Sequence, residues 1–174
     1  MKSRAQIQQA HEEAVLRDAL AEHNRIQGLA LAVVSQPDPP DAILSNGTVT
    51  TWMELTDAFF SVEWARHLSS YGSIKGHKPM RSGGFTGIDK QFAANFCDLV
   101  QQKAEKQSYA PFVTSYGPGI LVVGLESPWL DGETMDEVSS EWNARGSPDI
   151  SATFAHVYTR HRTAGGNIVL PWPH

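Results

Sequence analysis

The chain has 174 residues, of which 41% are apolar and 19% charged, and a formal net charge of −5. That length and balance suit one folded domain over 1–174, and the net acidity argues against tight nonspecific nucleic-acid binding while leaving local basic patches free to act. Cys97 is the sole cysteine, the N-terminus is polar, and no run approaches the roughly 20 apolar residues of a membrane helix, so a reduced, cytoplasmic protein is expected.

The first segment, "SRAQIQQAHEEAVLRDALAEHNRI", is rich in helix formers, with Ser3 as its N-cap and Gly28 as its stop. "LALAVVS" is a short apolar run closed by Pro37 and reads as a buried strand. "DAILS" and "TVTTWMELT" follow, joined by Asn46-Gly47, a strong two-residue hairpin signal because both residues tolerate positive φ. A helix is expected over "DAFFSVEWARHLSSY", with Asp57 as N-cap, and then a Gly-rich basic loop, "GSIKGHKPMRSGGFTG". The clearest helix is "IDKQFAANFCDLVQQKAEK", where Ile88, Phe92, Phe96, Leu99 and Val100 form one stripe and Cys97 reads as helical core. "GILVVGLE" is a near-continuous apolar strand and so central in a sheet. An acidic helix over "DGETMDEVSSEWNAR" and two closing strands, "ISATFAHVYTR" and "NIVLPW", complete the series, a mixed α/β arrangement with a central sheet flanked by helices.

The hairpin carries two acids where apolar residues are the norm. With Asn46 and Gly47 in the turn, Ser45 faces Thr48, Asp41 lies opposite Trp52, and Glu54 is its diagonal neighbour. Period-two alternation then puts Asp41, Trp52, Glu54 and Thr56 on one face and Met53 and Leu55 on the other. Two converging carboxylates make a hard-oxygen site of the kind Mg²⁺ or Mn²⁺ prefers.

Pro40-Asp41, a strand, a turn, and a second strand bearing Glu54-Leu55-Thr56 resemble the signature of the PD-(D/E)XK nuclease-like, or restriction endonuclease-like, superfamily. The order of elements from about Ser3 to Glu126 is similar to that family's core of helix, three-strand meander, helix and strand. The resemblance implies divalent-metal-dependent hydrolysis of nucleic-acid phosphodiesters, DNA before RNA, with Asp41 and Glu54 as ligands of Mg²⁺ or Mn²⁺. It also implies an acid from the first helix, Glu13 or its neighbour Glu12, as a further ligand. The family's lysine is replaced by Thr56, whose hydroxyl can orient a water but supplies no charge. Lys103 continues the apolar stripe of its helix and could turn inward to stand in as the catalytic cation.

Lys75, Lys78 and Arg81 make the Gly-rich loop a candidate phosphate-contacting arm. The acidic 131–142 segment would repel nucleic acid and is a candidate protein contact, and a homodimer is left open. The alternative function is a catalytically inactive domain of the same fold that binds nucleic acid or protein.

Overall fold

The computed structural model describes residues 4–70, 86–163 and 166–172, with side chains described from residue 12 onward except at 69. Lys75, Lys78 and Arg81 lie outside the described residues, as does Ser3. Six strands form one mixed sheet in the order β1-β2-β3-β4-β5-β6: β1 (Ala32–Ser35), β2 (Ala42–Ser45), β3 (Thr50–Phe59), β4 (Gly119–Glu126), β5 (Phe154–Thr163) and β6 (Gly166–Trp172). β3, β4 and β5 run parallel, while β1, β2 and β6 are paired antiparallel, so the sheet is mixed and flanked by helices.

The long helix α1 (Arg4–Gln27) covers one face, packing Val15, Leu16 and Ala19 on Leu44, Met53, Ile120, Val122 and Tyr158. Gly28 ends it with φ 65, a left-handed geometry that favours glycine. The other face is covered by α3 (Ile88–Ala104) and α5 (Gly132–Ala144), whose Phe92, Phe96, Val138 and Trp142 bury Trp52, Leu121, Val123 and Trp172. α2 (Val62–Ser70) and α4 (Ala110–Tyr116) complete the helices. β4 is buried at every position but its last, as a strand covered on both faces must be. Asp131 caps α5 through a reciprocal pair with Thr134.

Four expectations are corrected. β1 is not buried: all four of its residues are exposed, because it is an edge strand paired only with β2. Asp57 is not a helix cap, because β3 runs on to Phe59 by pairing Asp57, Ala58 and Phe59 with Gly124, Leu125 and Glu126; Ser61 Oγ caps α2 instead, accepting from the Trp64 N–H. A short helix, α4, follows a 3-10 turn at Gln107–Tyr109 where the sequence reading placed no element.

The hairpin turn is also longer than two residues. Ser45 pairs with Thr50, not Thr48, and Asn46–Val49 form the loop. Asn46 Oδ1 accepts from the Thr48 and Val49 N–H groups at 3.0 and 2.8 Å, and Ser45 Oγ donates to the Val49 carbonyl at 3.1 Å. The asparagine thus acts through its side chain, in an Asx turn, as much as through its backbone. This moves the register by two residues, which leaves every side chain on its expected face.

Candidate functional site

The corrected register places both hairpin acids at the end of the β2–β3 ladder. Ala42 pairs with Met53 and Ile43 with Trp52, so Asp41 does not face Trp52 but lies just beyond the last pair. The pairing stops there, because β2 begins at Ala42 while β3 continues alone beside β4. Asp41 fills the fork: its Oδ2 accepts the Leu55 N–H at 2.6 Å, extending the ladder by one side-chain bond.

Glu54 lies on the α3 face and is only 5% exposed. Lys103, in the last turn of α3, reaches it: Nζ donates to Glu54 Oε1 at 2.6 Å, and the lysine side chain is 19% exposed. The second oxygen, Glu54 Oε2, is buried with no hydrogen-bond partner. A desolvated carboxylate oxygen left bare is costly, and its natural complement is a cation or a bound water.

Burial pushes the Asp41 carboxyl up to about 6; the Leu55 N–H and Lys103 oppose the rise, while Glu54 and Glu12 add to it. Glu12, Val15, Asp41, Leu55, Thr56 and Asp57 line one cleft of about 90 Å³. Of the two glutamates of α1, it is therefore Glu12 that faces Asp41, and Glu13 is exposed without lining this cleft. Thr56 is half-buried at the cleft, beside Asp57. Asp57 also lines a larger pocket of about 350 Å³ formed with Ser61, Val62, Asn95, Asp98 and Leu99.

The aromatic floor of the site was not read from the sequence. Trp52 is fully buried, its Nε1 donates to the Gly117 carbonyl at 2.9 Å, and its ring lies 5.1 Å from that of Tyr109. A side chain at Gly119 would collide with the Trp52 ring, so glycine there is a packing requirement. Burial, with the Glu54 carboxylate beside it, pushes the Tyr109 phenol well above its ordinary range. Its signal was only latent: "KAEKQSYAP" carries no strong periodicity, so nothing tied Tyr109 to the hairpin.

A second charged group sits on the α1 face. Asp57, Gly124 and Arg160 form one row across three parallel strands, and the Asp57 carboxylate lies over Gly124, where a Cβ would stand. Arg160 is 3% exposed; its Nη1 is 3.6 Å from Glu126 Oε1, while Nε and Nη1 lack hydrogen-bond partners. Further along this face, His23 Nδ1 and the Tyr158 hydroxyl are 2.9 Å apart, with the His156 ring 5.1 Å from that of His23.

The acids of the fork are the candidates for holding a hard divalent cation. Among the described residues no three Asp, Glu, His or Cys side chains gather into a ready-made cage. Mg²⁺ does not need one, since it keeps several waters and binds through one or two carboxylates. Asp41, with one oxygen on the Leu55 N–H, and Glu54, with Oε2 bare, are the carboxylates available at the fork.

No family model matches the chain, and no curated protein matches it either. Among solved structures, SfsA from Pyrococcus furiosus, determined in complex with Ca²⁺, aligns over 94% of this chain with a TM-score of 0.32 and 10% sequence identity. The chain spans 60% of the length of that protein. A likeness this loose assigns neither a family nor a function.

Proposed function

We propose that the chain is a PD-(D/E)XK nuclease-like domain that hydrolyses nucleic-acid phosphodiester bonds with Mg²⁺ or Mn²⁺. One observation carries this reading: Lys103 Nζ stands 2.6 Å from Glu54 Oε1, supplying from α3 the cation that Thr56 does not supply from β3. A buried carboxylate with one oxygen on a lysine and the other bare is built to receive something positive.

Asp41 and Glu54 would hold the ion, with Glu12 the nearest further acid. The ion, when bound, supplies charge neutralisation for the phosphoryl oxygens. Lys103 holds Glu54 in place and tempers the negative charge of the fork toward a phosphate. Without an ion, burial holds the Asp41 carboxyl at about 6, so ion binding there would release a proton from it in mild acid. Thr56 presents a hydroxyl on the cleft to orient a polar group. Lys75, Lys78 and Arg81 would grip the phosphate backbone, DNA before RNA.

The test incubates the chain and its Glu54→Gln variant with single- and double-stranded DNA and RNA, with Mg²⁺, with Mn²⁺ and with chelator. Expected is metal-dependent cleavage by the wild type, reduced at least 100-fold in the variant, on the order of the loss of a principal catalytic interaction. Cleavage that survives Glu54→Gln unchanged overturns the site. Absence of cleavage by the wild type, with retained nucleic-acid binding, favours the inactive binding domain instead.

A further inference from the structure

The two cores of the sheet differ in what anchors them. Among the described residues of α1, Val15, Leu16, Ala19 and His23 are buried, so an imidazole is one of the anchors of this helix. His23 is 3% exposed, and its Nδ1 is 2.9 Å from the hydroxyl of the equally buried Tyr158 on β5. The His156 ring, also on β5, lies edge-on to the His23 ring at 5.1 Å. On the other face, the buried cluster around Phe92, Phe96, Val138 and Trp142 is built without a histidine.

The surroundings of His23 favour its neutral form. From β5 it meets the Tyr158 hydroxyl and a second imidazole, His156. The core beside it is apolar, with Leu20 from α1, Leu29 and Leu31 from the segment that follows, Val122 from β4 and Val169 from β6. The nearby charges of α1 are already met: Arg25 Nη2 is 2.7 Å from Glu22 Oε1, and Asp18 is bonded by Arg17 and Asn167. An imidazolium at this place would be desolvated without a carboxylate partner, and a charged His156 would repel it. The other described polar ties of α1 lie at its margins: Asp18 to Asn167 on the exposed rim, and Asn24 to the Leu31 backbone.

We propose that α1 is an acid-released cover of the sheet: protonation of His23 breaks its buried junction with Tyr158 and lifts the helix, opening the cleft where Glu12 and Val15 meet Asp41, while α3 and α5 stay packed. The direction follows from linkage. Burial, with His156 beside it, pushes the docked imidazole down to about 4, while a released His23 titrates near 6.5, so acid favours the released helix. Those values correspond to roughly a 50-fold rise in the release equilibrium between pH 7 and pH 4.5. The cover works whether or not the fork holds an ion.

The experiment is hydrogen exchange of the full chain, read by mass spectrometry as protection factors at pH 7 and pH 4.5, for wild type and His23→Phe. Expected in the wild type is a loss of protection on the order of 50-fold in peptides from 12–27, with at most a few-fold loss in α3 and β4. His23→Phe keeps a buried ring that takes up no proton, so its α1 is expected to lose protection by no more than a few-fold. Protection of β4 at pH 7 shows that the variant is folded; where it is missing, His23→Gln, neutral and able to bond Tyr158, replaces it in the comparison. Unchanged protection of α1 in the wild type, or a loss shared equally by α1, α3 and β4, overturns the release of this helix. A loss in α1 as large in the variant as in the wild type overturns the role of His23.

Discussion

The two faces of the sheet each carry buried charge at the C-terminal side of β3, and they leave opposite groups unmet. On the α3 face Glu54 is bonded by Lys103 at 2.6 Å and keeps one bare oxygen. On the α1 face Arg160 is nearer full burial, yet its closest acid oxygen is 3.6 Å away and two of its nitrogens are unpartnered. The first is a tight pair with an acceptor to spare, suited to a cation; the second is a loose cluster with donors to spare. Depth of burial alone therefore does not mark the site. What distinguishes the α3 face is the short bond beside a bare acceptor, while the cleft that Asp41 shares with Glu12, Val15 and Asp57 opens toward α1.

The largest test of this contrast is Lys103→Met, which keeps the aliphatic stem but leaves Glu54 buried and unpaired. Removing one partner of such a pair costs about 3 kcal/mol. Urea unfolding at pH 8 is expected to show that loss, and Glu54→Gln combined with Lys103→Met is expected to recover most of it, as coupled neighbours do. Full additivity of the two substitutions would mean that the pair is not a unit.

The α1 face makes a different prediction, through pH. His23 is pushed down to about 4 by burial and by the nearby His156, which burial also lowers. Folding therefore keeps His23 neutral while the unfolded chain takes up a proton below about 6.5. Its contribution is fully present above that value and is lost as the pH falls toward 4, on the order of 2 kcal/mol. Urea midpoints followed from pH 7 to pH 4 are expected to fall less steeply in His23→Phe than in the wild type. Equal slopes would remove this buried base from the comparison.

Much of the frame was legible because its signals are local or periodic. The stripe from Phe92 to Val100 placed α3, the apolar run from Gly119 placed β4 at the centre, and period-two alternation put Trp52 and Met53 on opposite faces. That last inference survived a wrong turn because the error was two residues, and parity is insensitive to an even slip. What the sequence hid depends on contacts between distant segments. β3 reads on through Asp57 only because β4 is there to pair with it, and the exposure of β1 follows from its place at the sheet edge. The place of Tyr109 against Trp52 and Phe154 depends on a 3-10 turn that no propensity announces. The identity of the α1 acid, Glu12 over Glu13, turns on helix rotation of about 100° between neighbours, finer than a boundary reading resolves.

Gly124→Ala probes the packing of the looser cluster. The new methyl would displace the Asp57 carboxylate, the end of a short side chain that can rotate away, so the expected cost is about 1 kcal/mol, at the low end for overpacking. Because Asp57 also lines the cleft with Asp41, the same variant is expected to weaken Mn²⁺ binding less than Glu54→Gln does. A larger effect from Gly124→Ala would move the functional centre toward the α1 face.

Arg160→Met is expected to have the smallest effect, although it removes the most deeply buried charge in the comparison. The guanidinium carries two donors without partners, and deleting them relieves a desolvation cost that offsets the weak 3.6 Å pairing with Glu126. The net change at pH 5 should stay within about 1 kcal/mol. Its sign should drift with pH. Burial raises the Glu126 carboxyl first and the Asp57 charge raises it further, while Arg160 and Arg162 hold it down. Without Arg160 the carboxyl rises more, and a raised acid contributes stability that is present at low pH and lost as the pH climbs through its folded value. The variant should therefore match the wild type in mild acid and fall behind it at pH 8. A loss as large as that of Lys103→Met at both pH values would mean that the guanidinium is fully satisfied in solution, and the contrast between the two faces would collapse.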